Sequence, residues 1–437
     1  MAPLPLGILA LAGAGGAPAW AMTQGTNSYS NNAQGITTDA DGNVFSVAKF
    51  TQGADGMMLS KFDSAGVEQW RRDLRLATGT TTINYNWNNC VATDSTGAAY
   101  VVAKRYDSSN GNRTIVWKIS TSGSSVWTRE LAKTNYTNDL TQIRIDANDN
   151  IYLSGVSPGL GAAETAVLFK MNTSGATVWQ RYYSTGYGSN NTEAYGVDVD
   201  SSGNIYTAGE TFDDQIGNRF MAAKYNSSGT LQWKKTISDS NTIASGYGVS
   251  VDSNDNIYMS GFLIPSSLVG YLVKLDSSGA IVWQRENGDG RTYQVETDSS
   301  GNVYTVTDTS QYVYYYDSSG TNTVRNSVGT SKVNFTTPHI HISSNDKYYF
   351  QGGARLNSAP ETYVLNMELY ADGSGTGTIA LQNDTFSYSS DSVSTIAASA
   401  SITDRTGNGD NGTSDLTNVS TSASVTTPNL TQYITTY

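Results

Sequence analysis

The sequence predicts an all-β fold: a seven-bladed β-propeller of four-stranded antiparallel blades, with a short apolar N-terminal leader and a Ser/Thr-rich C-terminal extension. Three observations carry that expectation. A motif, Asp-x-x-(Gly/Asp)-Asn followed by an apolar–aromatic pair, recurs seven times, the last copy degenerate. A second motif, Lys-x-(Asp/Asn/Ser)-x-x-Gly-x-x-x-Trp, is interleaved with it. Charged residues make up only 15% of the chain, against about 25% in ordinary soluble domains. Ser, Thr, Asn and Gly fill the difference and, with 28 Tyr, favour strands and tight turns over helices.

The first motif starts at Asp39, Asp94, Asp146, Asp200, Asp252, Asp298 and Ser343, at intervals of 55, 52, 54, 52, 46 and 45 residues. The second ends at Trp70, Trp127, Trp179, Trp233 and Trp283, and the last two copies lack the Trp. Each unit reads as four short strands. In the fifth, residues 248–252 alternate apolar and polar, a turn follows at 253–256, and strands return at 257–261, 271–275 and 280–285. The fourth turn position suits a left-handed conformation, so Gly203 and Gly301 exchange with Asp149 and Asp255. Units of this kind every 45–55 residues mean a propeller, in which each blade covers a face of the next. The Trp and the motif aromatics are read as core between blades. The last blade is expected at 339–343, 348–352, 362–370 and 376–382. The ring would then close by face packing alone, without a strand from the other terminus.

The domain plan is a leader and linker over 1–32, the propeller over 33–383 and the extension over 384–437. Residues 3–20 are apolar and small. They resemble a secretory signal with an A-x-A site at Ala17–Ala19, but no Lys or Arg precedes the apolar core. The core is also far short of the ~20 residues of a membrane span. The segment is therefore read as a retained leader whose Leu6, Ile8, Leu9, Leu11 and Trp20 make an assembly contact, since apolar stretches seek a partner. The extension is poor in core residues and is expected to pack on the propeller or on another subunit.

Chemistry has few places to sit. Two residues before each repeat Asp lie Thr37, Ala92, Arg144, Asp198, Ser250, Glu296 and His341, on one side of the innermost strands. Arg144, Asp198, Glu296 and His341 form a candidate polar channel set, with structural pairing as the plainer reading. The Asp-rich turns lack the spaced carboxylates of a calcium loop, so a hairpin turn is preferred. His339 and His341 share a strand face, but a zinc site would need a carboxylate besides. One cysteine, Cys90, excludes an intramolecular disulfide, and it aligns with Gly35, Gly196 and Gly248, where a small residue suits. No catalytic triad, phosphate loop or dinucleotide fingerprint appears, so neither a catalytic residue nor a metal or other cofactor is assigned. A net charge of −12 with dispersed basic residues argues against a nucleic-acid partner.

The repeats resemble bacterial β-propeller repeats of the form DSSGNIYVAG…KLDSSGxxxW over about four fifths of the chain. The termini are similar to those of virion proteins of tailed bacteriophages, particularly marine cyanobacterial ones. The resemblance rests on LGILALAGAGG at residues 6–16, ADGSGTGT at 371–378 and the F-x-Y-S-x-S segment at 386–394. It implies a non-enzymatic structural protein of the virion, assembled in the host cytoplasm and tail-associated; the Tyr- and Asn-rich loops of an exposed propeller suit weak, multivalent contact with host-surface glycans. The leader would contact other virion proteins, and the chain would be oligomeric or multicopy. The alternatives are a capsid decoration protein, a secreted or cell-surface adhesin or lectin, and a carbohydrate-active enzyme at the channel mouth.

Overall fold

The computed structural model describes residues 20–24, 31–52, 54–76, 89–107, 111–132, 139–158, 164–183, 191–213, 217–237, 243–287, 290–308, 312–327, 333–356, 362–369, 377–381, 384–391, 396–397, 402–404, 424–426 and 432–433. They form seven antiparallel sheets, and no helix occurs among the described residues. In blade four the order from the channel outward is Thr192–Val199, Ile205–Asp213, Gly217–Tyr225 and Leu231–Ile237. The innermost strands of successive blades lie against one another, and that of blade one meets blade seven, closing the ring. The apolar core lies between blades: Leu59, Val101, Val116 and Ile143, from blades one to three, are fully buried in one cluster.

The repeat builds one face of the ring from near-identical turns. Asp200 Oδ1 accepts the backbone N–H groups of Ser202 (3.0 Å) and Asn204 (2.8 Å), while Asn204 Nδ2 and the Tyr206 hydroxyl donate to Oδ2 at 2.8 and 3.0 Å. The aromatic of the motif therefore does two jobs, packing between blades and capping the turn carboxylate. The same hydroxyl contact recurs at Tyr100, Tyr152, Tyr258 and Tyr304. Above it the second motif stacks its own members. Lys224 lies over the Tyr206 ring, Trp233 packs against Tyr206, and Lys235 covers Trp233. Each Trp Nε1 donates to a carbonyl in the next blade's outer turn, as Trp70 does to Thr121 at 2.9 Å. Arg72 adds a bond to the Gly123 carbonyl at 2.6 Å. Gly123 is needed there twice over, since its φ is +82° and a Cβ would lie 2.6 Å from the Arg72 guanidinium.

The exchange of Gly for Asp in the turns has a consequence between blades. Asp149, Asp255 and Asp346 take φ near +60°. Each also accepts two bonds from a serine of the preceding blade, Ser95, Ser201 and Ser299 respectively. The Asp thus joins blades two to three, four to five and six to seven. A double-mutant cycle on Ser95→Ala and Asp149→Gly should give a coupling of ~0.5–1 kcal/mol in chemical denaturation. Asp149→Gly alone should be near neutral, because relief of the left-handed backbone offsets the lost bonds.

Ring closure differs from the sequence expectation. Blade seven is Val333–Ile342, Tyr348–Leu356 and Thr362–Leu369, and its outer strand is Trp20–Gln24 from the N-terminal region. Trp20 pairs with Glu368 and Gln24 with Val364. Gly377–Leu381, expected as the fourth strand, instead pairs with Asp384–Asp391 at the outer edge of blade six. The short connection after residue 381 makes that hairpin local. Trp20, expected in the assembly contact, is thereby engaged through its backbone in the propeller, while Leu6, Ile8, Leu9 and Leu11 lie outside the described residues. A buried polar lock reinforces the seam. Gln351 accepts from Gly35 N–H (2.9 Å) and donates to Ser46 (2.8 Å), which donates to Asn366 (2.8 Å).

The described parts of the extension continue round the rim. Asp384–Asp391, Ile396–Ala397, Ile402–Asp404, Ser424–Thr426 and Gln432–Tyr433 pair with the outer strands of blades six, five, four, two and one. The segment that cannot form a core of its own supplies edge cover to blades that otherwise end in open ladders.

Candidate functional site

Turns joining the first to second and third to fourth strands share one face. The opposite ends of the strands define the other face, here termed the loop face. Near the centre, the channel set splits. Arg144, on blade three, pairs with Glu296 on blade six and lies 3.7 Å from Asp198 on blade four. Asp198 also accepts the backbone N–H of Val251 on blade five, at 2.7 Å. The guanidinium ties three blades together across the channel, and Asp198 adds the fourth. Burial pushes Asp198 up to about 6, with Arg144 pulling it down and Glu296 pushing it further up. Burial would lower Arg144, but the carboxylates of Glu296 and Asp198 outweigh it and hold the guanidinium raised. The cluster satisfies its own charges and acts as a strut.

His341 stands apart from that strut in its bonding. Its Nε2 meets the Thr38 hydroxyl at 3.0 Å, across the seam of blades seven and one. His339 is fully buried and neither ring nitrogen has a hydrogen-bond partner. Burial drives both imidazoles down to about 4. Among the described residues no three His, Cys, Asp or Glu side chains gather as a metal shell would. Cys90 is buried and its thiol is raised by that burial.

These shifts set a pH dependence. The histidines, ordinarily near 6.5, contribute stability that is full above that value and is lost as the pH falls toward 4. Asp198, raised from 3.8, works oppositely: its contribution is full below about 4 and is lost as the pH rises through about 6. His339→Gln/His341→Gln should therefore gain stability relative to the wild type as the pH falls from 6.5 to 4.5. Urea midpoints at the two pH values measure the difference.

A second group of residues lies nearer the loop face. The innermost strands of blades one, three, four, five and six carry a β-bulge five residues before the repeat Asp, and in blades four, five and six the bulged residues are Tyr195, Tyr247 and Tyr293. A bulge re-aims its side chain. The three rings stand side by side, with centroids 5.5 Å apart between Tyr195 and Tyr247 and 4.7 Å between Tyr247 and Tyr293. Phe262 lies 5.9 Å from Tyr247, and Arg291 covers Phe262 while pairing with Asp308 at 3.2 Å. Beside the arc, Glu193 and Glu210 face each other across two paired strands. The Tyr195 hydroxyl donates to Glu193 and lies 3.3 Å from Glu210 Oε1. Burial raises Glu193 to about 7; Tyr195 pulls it down, while Glu210 and Glu164 push it further up. Burial raises Glu210 as well. None of these residues was singled out from the sequence, although the signal was present: three consecutive copies carry Tyr five residues before the Asp, where the others have Gln34, Asn89, Thr141 and Pro338.

The β-propeller repeat family (SBBP) matches residues 178–212, from the outer strand of blade three to the second strand of blade four. The fold is a seven-bladed β-propeller. Among solved structures, the polysaccharide lyase Uly1 is 10% identical with a TM-score of 0.50, over 80% of this chain and 92% of that one. U3-55K is 11% identical with a TM-score of 0.50, over 80% and 98%. A streptogramin B lyase is 14% identical with a TM-score of 0.49, over 77% and 93%. At such identities the likeness concerns the fold alone, and propellers carry many functions. No curated protein matches the chain.

Proposed function

We propose that the chain is a non-enzymatic recognition component of a phage virion, tail-associated, that holds host-surface glycans against the loop face of blades four to six. The observation that carries the binding part is the arc of Tyr195, Tyr247 and Tyr293, placed by three successive bulges. Tyrosine offers a broad apolar face with a polar tip, which suits a sugar ring and its hydroxyls. One such contact is weak, and a multicopy array multiplies it. The resemblance of residues 6–16, 371–378 and 386–394 to virion proteins supports the placement. The Arg144 strut favours the arc over the channel, since the channel charges already answer one another.

Tyr247→Ala should lower retention on an array of bacterial surface glycans at least tenfold while leaving the thermal midpoint within a few degrees. Equal retention by the variant would remove the arc from the account. Deleting residues 1–18, which spares the closing strand, should abolish incorporation into particles. Undiminished incorporation sinks the virion placement, and the position of the propeller in a particle map separates tail from capsid decoration. Detection of residues 1–18 in the intact mass of the mature protein decides against a secreted adhesin.

A second reading, a carbohydrate-active enzyme, draws support from Glu193, a carboxyl held near neutrality opposite Glu210. Oligosaccharides unchanged in mass after prolonged incubation would remove it.

A further inference from the structure

We propose that the loop-face site is built for a ligand carrying an organic ammonium group, which would sit against the tyrosine arc with its charge at Glu193 and Glu210. The inference rests on the reading of the arc as a binding surface and adds the charge of what binds. Glu193 and Glu210 are register partners, with the Tyr195 hydroxyl between them. A third carboxylate, Glu164 on the neighbouring blade, adds to the charge felt by both. Among the described residues no lysine or arginine pairs with Glu193 or Glu210. Arg291 lies at the far end of the arc, against Tyr293, and is committed to Asp308 and to the Phe262 ring. A half-buried pair of like charges without a counter-ion is costly, and a bound cation would relieve it.

A second observation points the same way. Ser245 is fully buried, and its hydroxyl lowers the pKa of both Glu210 and Tyr247, yet it completes no hydrogen bond. A polar group left in that position lacks the partner that a bound donor would supply. Beside the two carboxylates lie the partly exposed rings of Tyr195 and Tyr247, 5.5 Å apart, and aromatic faces attract cations. The charge is organic rather than metallic, because no metal-like shell of acidic ligands closes here among the described residues and the aromatic rings offer faces instead of oxygen donors.

The ammonium could be carried by an amine-bearing sugar or by a non-saccharide such as choline, and the test separates them. Isothermal titration of the full chain at pH 8, where an alkylamine remains an ammonium, would use a tetrasaccharide carrying an aminoethyl group (the free-amine tetramer), its neutral N-acetylated twin, and choline. The free-amine tetramer is expected to bind at least tenfold more tightly than the neutral twin. Glu193→Gln/Glu210→Gln, which keeps shape and hydrogen bonding, should erase that preference, and Tyr247→Ala should weaken both tetramers. Equal affinity for the two tetramers would overturn the ammonium inference and leave the glycan reading standing. Choline bound with neither tetramer bound would uphold the inference and overturn the glycan reading. No binding of any of the three would overturn both.

Discussion

Arg144→Ala is expected to lower the unfolding free energy by about 3–5 kcal/mol, because removing one partner of a buried ion pair strands the others. The side chains concerned are 14%, 19% and 11% exposed for Arg144, Asp198 and Glu296, so solvent screens them little. The loss should be greatest near neutral pH and should shrink as the pH falls through the raised pKa of Asp198 and that carboxyl protonates. Arg144→Met/Asp198→Asn/Glu296→Gln, which removes the charges together, should recover most of the stability. Guanidinium denaturation at pH 4.5 and 7.5 measures both. An Arg144→Ala protein as stable as the wild type would mean that the cluster is not a strut, and would return it to consideration as a ligand site.

Deleting residues 1–25 is expected to cost on the order of 3 kcal/mol relative to deleting 1–18. Trp20–Gln24 makes five register pairs with Thr362–Leu369, and a backbone bond contributes about 1 kcal/mol net. Part of that gain is offset by the entropy of ordering the strand. The longer deletion also bares the edge at Val364–Glu368, so it should raise self-association in light scattering. A peptide of residues 19–25 added in excess should restore the midpoint. Equal midpoints for the two deletions would contradict closure by the N-terminal strand.

The repeat made most of the fold legible in the sequence. Asp and Gly at fixed turn positions and period-two strands between them encode local hairpins, and seven local hairpin pairs leave little freedom but a ring. Closure was not legible, because a strand's alternation says which face is buried and nothing about its partner. Trp20–Gln24 pairs with residues more than 300 positions away. The competing strand Gly377–Leu381 is adjacent to its own partner and looks equally good locally. At the channel, alternation did place Arg144, Asp198 and Glu296 on the side where they meet, but it could not say that one arginine spans the ring. His341 was grouped with them, and it bonds Thr38 at the seam. The tyrosine arc was hidden by its own geometry. A bulge breaks the two-residue period, so the position drops out of an alternation count just where its side chain is re-aimed. Glu193 and Glu210 lie 17 positions apart and meet only through strand register.

The binding of a glycan at the tyrosine arc is the central claim, and hydrogen-exchange footprinting of the full chain with a bound surface glycan tests it most directly. Protection is expected in Thr192–Val199, Ile243–Val251 and Thr292–Thr297 and to vanish in Tyr195→Ala/Tyr247→Ala/Tyr293→Ala. Protection confined to the turns at 200–204, 252–256 and 298–302 on the opposite face, or undiminished in the triple variant, would contradict it.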